Sequence, residues 1–357
     1  MKPPYIAYTT KLARSTKMKF IWFIFSIGFF LITFDAKSQD AQFAQFNNSP
    51  LTLNPSLTGD FKGNIRLLGN YRNQWSSISA PYKTYGFTCD MGLIKEKEKK
   101  EKTGYLGIGV SFLSDRSSSF QLDLNQVNLS VAYHSHIARY SYLSAGIMGG
   151  YAQRSINFNG IKWDSQFNGN NYDPNLPSFE TGYAANKSNA DFGAGMHWSY
   201  KKEETNYKAN DQLFINAGIA AFHLNQPNIS FYSSAKDNLP IKVVVHNDYQ
   251  IGIKHTYISL SPSFAYIQQG TQKNMMAGLS IKRKLIEGSQ ILNFVKGSAI
   301  SLGGYYRVGD AIIPYILMEY ANYAIGISYD TNVSKLTKAT SGKGGIEIFL
   351  KLITLDH

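Results

Sequence analysis

Between residues 61 and 353 the chain is a succession of short segments in which apolar positions alternate with small or polar ones. Leu106, Ile108, Val110 and Phe112 alternate with Gly107, Gly109 and Ser111. Tyr323, Ile325, Ile327 and Tyr329 alternate with Ala324, Gly326, Ser328 and Asp330. Leu213, Ile215 and Ile219 share one phase, and Asn216, Gly218 and Ala220 the other. Successive side chains of a β-strand point to opposite faces, so a period of two predicts strands with one greasy face and one small or polar face. Polar connections rich in Gly, Asn, Asp and Ser separate the segments, as in an all-β chain.

The predicted strands are 61–72, 82–91, 104–114, 120–134, 139–153, 189–200, 211–223, 242–254, 255–266, 271–283, 296–306, 310–320, 322–332 and 344–353. That makes about 14, an even number, as a single-chain antiparallel barrel requires. The phase slips between Leu124 and Val127, which predicts a β-bulge there.

A soluble sandwich would turn its apolar face inward and cover the other with charge. Here the second face is mainly Gly, Ala, Ser and Asn, so the apolar face suits lipid and the small face a lumen. Tyr71 and Trp75, Tyr133, Tyr140 and Tyr142, Trp198 and Tyr200, and Tyr305 and Tyr306 gather near segment ends. Amphipathic rings prefer the headgroup boundary, and girdles of membrane barrels are built from them. The expected fold is a transmembrane antiparallel β-barrel over residues 61–353, in contact with the lipid bilayer. With an even strand count and a periplasmic N-terminus, connections 154–188, 224–241 and 333–343 become surface loops, and the charged runs Lys95–Lys102 and Lys201–Lys208 become periplasmic turns.

The N-terminal 38 residues follow a different pattern. Lys11, Arg14, Lys17 and Lys19 precede an apolar run from Phe20 to Phe34, then Ala36, Lys37 and Ser38. That order predicts a secretory signal peptide cleaved after Ser38, with Met18 as an alternative start. The run is shorter than the roughly 20 apolar residues of a spanning helix. Residues 39–60, with two prolines and alternating Gln and Phe, are neither a full strand nor a helix. They can plug the lumen or lie beneath the barrel, and the plug is the reading preferred.

Of 36 Lys and Arg and 24 Asp and Glu, residues 1–38 hold six and one, which leaves the remainder 30 basic and 23 acidic, a net +7. Those charges are scattered and accompany no basic helix or zinc knuckle, so no nucleic-acid partner is expected. Cys89 is the single cysteine, which excludes an internal disulfide. No cofactor, metal or catalytic site is expected. Gly104, Gly107 and Gly109 lack dinucleotide-fingerprint spacing, and Ser341 to Gly345 lacks the first glycine of a phosphate loop and the hydroxyl residue after its lysine. His134 and His136 share a strand face but have no third ligand nearby in sequence. Seven histidines and many serines make chance Ser and His pairings unavoidable.

Residues 39–75 carry a pattern that resembles a known family: Gln39 to Phe46, then Pro50-Leu51-Thr52-Leu53-Asn54-Pro55-Ser56-Leu57-Thr58-Gly59, then Tyr71-Arg72-Asn73-Gln74-Trp75. Further matching pieces are Gly149 to Arg154, Gly218 to His223 with Gln226-Pro227, Gly304 to Arg307, Gly326 to Asp330 (closing on Tyr329 and Asp330), and Glu347-Ile348. Together they resemble the PorP/SprF family of type IX secretion membrane proteins. Ala41 and Phe46 stand where the family usually has Pro and Tyr. The resemblance implies an outer-membrane barrel of Bacteroidetes-type bacteria that works with type IX secretion components. It implies export or anchoring of a secreted surface adhesin through the adhesin's C-terminal domain, in gliding species among others. The expected docking surface is the aromatic set Trp163, Phe167, Tyr172 and Phe179 with Phe231 and Tyr232 on the neighbouring loop. The alternative is a porin-like diffusion channel, which needs an open lumen.

Overall fold

The computed structural model describes residues 40–75, 81–93, 104–117, 122–157, 162–179, 184–205, 209–286, 297–334 and 337–354. Within them the strands are β1 (Ile65–Gln74), β2 (Tyr82–Leu93), β3 (Tyr105–Ser117), β4 (Leu122–Ala138), β5 (Ser141–Ile156), β6 (Asn186–Lys202), β7 (Leu213–Phe222), β8 (Lys242–Gly252), β9 (Ile258–Gln269), β10 (Gln272–Ile286), β11 (Ser298–Arg307), β12 (Ala311–Tyr320), β13 (Tyr323–Asn332) and β14 (Lys343–Thr354). Each pairs antiparallel with its sequence neighbours, and β1 closes on β14 from Ile65 opposite Thr354 to Gln74 opposite Gly345. The closed 14-strand barrel leaves no unpaired sheet edge.

The outer surface is apolar. On β13 burial alternates at every position, with Tyr323, Ile325, Ile327 and Tyr329 exposed and Ala324, Gly326, Ser328 and Asp330 inside. Val127, Leu129, Val131 and Tyr133 of β4 are all more than 40% exposed. Such a belt in water would be far larger than the patches soluble monomers tolerate, whereas lipid covers it at no cost. At the margins Trp198 lies near Tyr200, and Trp75 meets Tyr82 edge-on at 5.6 Å.

Each predicted strand has its counterpart, with boundaries shifted by up to four residues and one correction at the predicted bulge. β1 begins at Ile65 rather than 61, because Phe61 to Asn64 bend the chain out of the lumen into the wall. β9 begins at Ile258 rather than 255, because His255 adopts a positive φ of 60° in the preceding turn. The bulge expected between Leu124 and Val127 is absent: pairing runs unbroken from Leu124 opposite Asp115 to Val127 opposite Phe112, and the register shift falls between His136 and Ala138. Polarity changes there because Asp123 and Asn125 project outward near the strand's end, where Asp123 meets Arg116 and Asn125 meets Ser114.

Strand parity puts the β5–β6 and β7–β8 connections at one end of the barrel, here the loop end. The β6–β7 and β8–β9 connections lie at the opposite, turn end.

Candidate functional site

Residues 40–60 fill the lumen. Phe43, Ala44, Gln45, Phe46, Leu51, Leu53, Asn54, Ser56 and Thr58 are all at most 5% exposed. The chain descends in tight turns, a 3₁₀ turn at Phe46–Asn48, one helical turn at Pro50–Leu53 and a second 3₁₀ turn at Pro55–Leu57. Asn54 caps the last of these, its Oδ1 accepting from Ser56 N at 2.9 Å while Pro55 supplies a preset φ. Ala44, Phe46, Leu53 and Leu57 pack against Met148, Phe222, Val244, Ile267, Met276 and Tyr305 from the wall, so the barrel's hydrophobic core lies within its own lumen. Phe46 and Tyr305 have ring centroids 5.4 Å apart.

Polar side chains of the wall hold this segment along its length. At the loop end Asp40 accepts from His223 Nε2 and Lys242 Nζ, both at 2.7 Å, and His223 Nδ1 lies 2.9 Å from Asp191. Burial alone would push the Asp40 carboxyl up, but Lys242 and His223 hold it well below the usual range. Burial likewise disfavours a charged His223, yet its bonds to Asp191 and Asp40 raise its pKa. Lower down, Glu347 accepts from Ala44 N at 2.7 Å and Gln45 N at 3.0 Å. At the turn end Asp90 accepts from Gly59 N at 2.7 Å and from Arg66, which also donates to the Leu57 carbonyl.

The wall is thinned where the segment touches it. A Cβ on Gly107 would collide with the Thr58 carbonyl, and one on Gly218 would lie 2.8 Å from Asn54 Nδ2. Asn54 sits in this notch and donates to the carbonyls of Met196 at 3.1 Å and Ile219 at 3.3 Å.

One arrangement was not legible in the sequence. Ser56 Oγ lies 2.9 Å from His197 Nδ1, and His197 Nε2 lies 3.0 Å from Asp60 Oδ2, a Ser, His and acid series. Its hydrogen bonds run the wrong way for a nucleophile: Ser56 donates to Asn54 Oδ1 at 2.7 Å and so takes its bond from His197 as acceptor. All three groups are buried, and Asp60 also accepts from Tyr105 and Lys201. The series reads as a clamp on the segment's lower end. Atoms of Asp60, His134 and His197 lie within 4.8 Å of one another, close enough to hold a metal ion, but hydrogen bonds already engage each of them. His134 Nε2 donates to the Thr58 carbonyl at 2.8 Å and its Nδ1 lies 2.7 Å from Ser144 Oγ, while His136 packs against Tyr142, so the two histidines share a strand phase but take different partners. A signal was available, since His134, His197 and His246 all fall on the lumen phase of their strands.

The other predicted residues divide. Asn54, Pro55 and Gly59 belong to the lumen segment. Arg72 and Asp330 point inward and pair at 2.9 Å, whereas Tyr71 and Tyr329 are on the outer face. Asn73 and Gln74 end β1 opposite Ile346 and Gly345, and Trp75 follows with a φ of 57°. Of the loop aromatics, Phe179 is 77% exposed with a φ of 56°, and Phe167 and Tyr232 are also exposed. Trp163, Tyr172 and Phe231 are half-buried. Tyr172 donates to Gln166, Phe167 and Tyr172 form a bridge, and the Phe231 carbonyl accepts from Ala184 N at 2.8 Å, which joins the two long loops.

Residues 35–352 match the sequence profile of the family described as type IX secretion system membrane protein PorP/SprF. No curated protein matches the chain. Among solved structures it is similar to the Ralstonia pickettii toluene transporter TbuX, with 10% identity over 88% of this chain and 96% of that one at a TM-score of 0.46. It is also similar to the translocator domain of the autotransporter NalP from Neisseria meningitidis, with 10% identity over 86% and 94% at 0.35. The CymD monoaromatic hydrocarbon channel gives 8% identity over 89% and 95% at 0.43. Likeness of this degree says nothing of what the chain binds.

Proposed function

The chain belongs to the type IX secretion system membrane protein PorP/SprF family, and from that premise we propose that it is an exported outer-membrane barrel that holds a secreted surface protein at its loop end. In this reading residues 1–38 are removed on export, the loop end faces the medium and the turn end the periplasm. The partner is a surface adhesin bound through its C-terminal domain, with other type IX secretion components alongside. The observation that carries the reading is the filled lumen: a segment fixed by buried ion pairs and an apolar core suits a barrel that binds at its rim better than one that conducts solutes. The exposed Phe167, Phe179 and Tyr232 supply apolar contact area on two loops tied to each other.

Planar-bilayer conductance of the purified protein tests this. The expected result is little or no steady current. A large and stable open-channel current from the unmodified chain would overturn the reading in favour of a diffusion channel.

A further inference from the structure

The wall grips both ends of the lumen segment by its backbone. Glu347 takes the amides of Ala44 and Gln45, Asp90 that of Gly59 and Gln269 that of Asp40 at 3.0 Å. Arg66 donates to the Leu57 carbonyl at 3.2 Å, and Arg72 donates to that of Gln42. Backbone amides and carbonyls are common to every polypeptide, so these contacts do not require this sequence. Side chains are selected at three further places: Asp40 by His223 and Lys242, the notch where Asn54 meets Met196, Ile219 and His246, and Ser56 and Asp60 by His197.

Two further observations bear on whether the segment is permanent. Among the described residues it contributes no strand to the sheet and runs into β1 through Phe61 to Asn64, so it can leave the lumen without breaking a ladder bond. Its upper half also fits imperfectly: Asn47 Oδ1 and Ser49 Oγ are buried without a hydrogen-bond partner, as is Asn70 Nδ2 on the wall. Buried orphan polar atoms are costly, so an occupant that lacked the two on the resident segment and satisfied Asn70 Nδ2 would gain on the resident chain.

We infer that the lumen is a peptide-binding site occupied in cis by residues 40–60, and that a polypeptide segment of the secreted partner, inserted from the loop end, takes the resident segment's place. The occupant would follow the same descending path and carry an Asn-Pro-Ser type of turn to fill the notch. This rests on the reading that the barrel binds a protein, but not on the loop aromatics, and its test uses no loop contact.

The probe is a fluorescent synthetic peptide of residues 40–60, with a control peptide in which Asn54 and Ser56 are replaced by Ala. The receptor is the full chain carrying Asn54→Ala and Ser56→Ala, which loosens the resident segment and leaves the wall intact. This receptor should bind the probe at least tenfold more tightly than the control, and adding Glu347→Ala should weaken binding at least tenfold. Equal binding of the two peptides, or no binding to a receptor that still migrates as a folded barrel, overturns the inference. A second protein guards against misfolding of the first. In Gln45→Cys with Ser328→Cys, whose parent side chains touch at 3.1 Å, oxidation locks the resident segment to the wall. The probe should then be taken up when the pair is reduced and at least tenfold less when it is oxidised. Uptake that is equal in both states, or absent from both, overturns it. If the peptide result is positive while the loop aromatics prove dispensable, the docking reading fails alone.

Discussion

Arg72 on β1 donates to Asp330 on β13 at 2.9 Å, reaching across the lumen side of β14, the strand that closes the barrel. Arg307 on β11 joins the same carboxylate at 3.0 Å, so one buried Asp ties together both flanks of the closing seam. The pair also links two pieces of the family pattern, Tyr71 to Trp75 and Gly326 to Asp330, across more than 250 residues of the chain.

Removing the shared carboxylate should therefore cost more than removing either cation. Asp330→Ala strips the buried Arg72 of its carboxylate and leaves Arg307 with Asp310 alone, which costs about 3–5 kcal/mol for a broken buried pair. Arg72→Met leaves Asp330 with Arg307 still in place and should cost less. Urea midpoints for unfolding from lipid measure both, and equal losses would show that the carboxylate is not shared in the way the distances imply.

Gly107 is a place where the wall yields to the lumen segment, because a Cβ there would meet the Thr58 carbonyl. Valine suits a strand, so Gly107→Val should spare the barrel and displace residues 58–60. Limited proteolysis should then cut within residues 40–60, and bilayer conductance should rise. Protection equal to that of the parent chain would mean that the wall, not the segment, gives way.

How much of this was legible in the sequence follows from which face a residue occupies. Lipid imposes one chemical rule on the outside, so Ile325 and Ile327 or Val110 and Phe112 declare their strands by alternation alone. The inside obeys pairing rules set by barrel closure and by the path of the lumen segment. Asp330, Glu347 and His197 look in sequence like isolated polar residues on a lumen phase. Their partners become definite only when β1 meets β14 and residues 40–60 pass inside. The apparent bulge at Leu124 to Val127 was misread for a related reason: alternation reports lipid contact, and the strand outlasts it.

The loop-end tether of Asp40 should depend on pH from both sides. Asp40 has a depressed folded pKa, so its contribution is present above the ordinary carboxylate value of about 3.9 and is lost as pH falls. His223 has a raised folded pKa, so its contribution is complete below its ordinary value of about 6.5 and is lost as pH rises through the folded value. The tether is thus fullest between those limits, and at higher pH Asp40 keeps Lys242 alone. Hydrogen exchange of the Asp40 and Ala41 amides should accelerate beyond the intrinsic base-catalysed trend above neutrality. In His223→Gln that excess should vanish. An excess that persists in the variant would place the titrating group elsewhere.

The loop aromatics give the sharpest division between binding and structure. Phe179 is largely exposed and held at a positive φ, a conformation that costs a bulky residue of order 1–3 kcal/mol, and nothing in its burial repays that. Phe167 and Tyr232 are exposed as well, whereas Trp163 and Tyr172 are half-buried and Tyr172 donates to Gln166, which in turn donates to the Leu176 carbonyl at 2.9 Å. Replacing Phe167, Phe179 and Tyr232 with Ala should leave barrel stability unchanged, because strand pairing and lipid contact are untouched. Each should weaken partner binding by about 2 kcal/mol if it is an anchor, with losses that do not add fully. The adhesin should then appear in the medium rather than on the cell. Replacing Trp163 and Tyr172 should release the partner too, but with increased proteolysis of the β5–β6 loop, since their contribution passes through the loop's own fold. If the first variant inserts normally and keeps its adhesin at the parent level, the exposed aromatics are not the docking surface, and the partner must be held by the lumen or by the turn end.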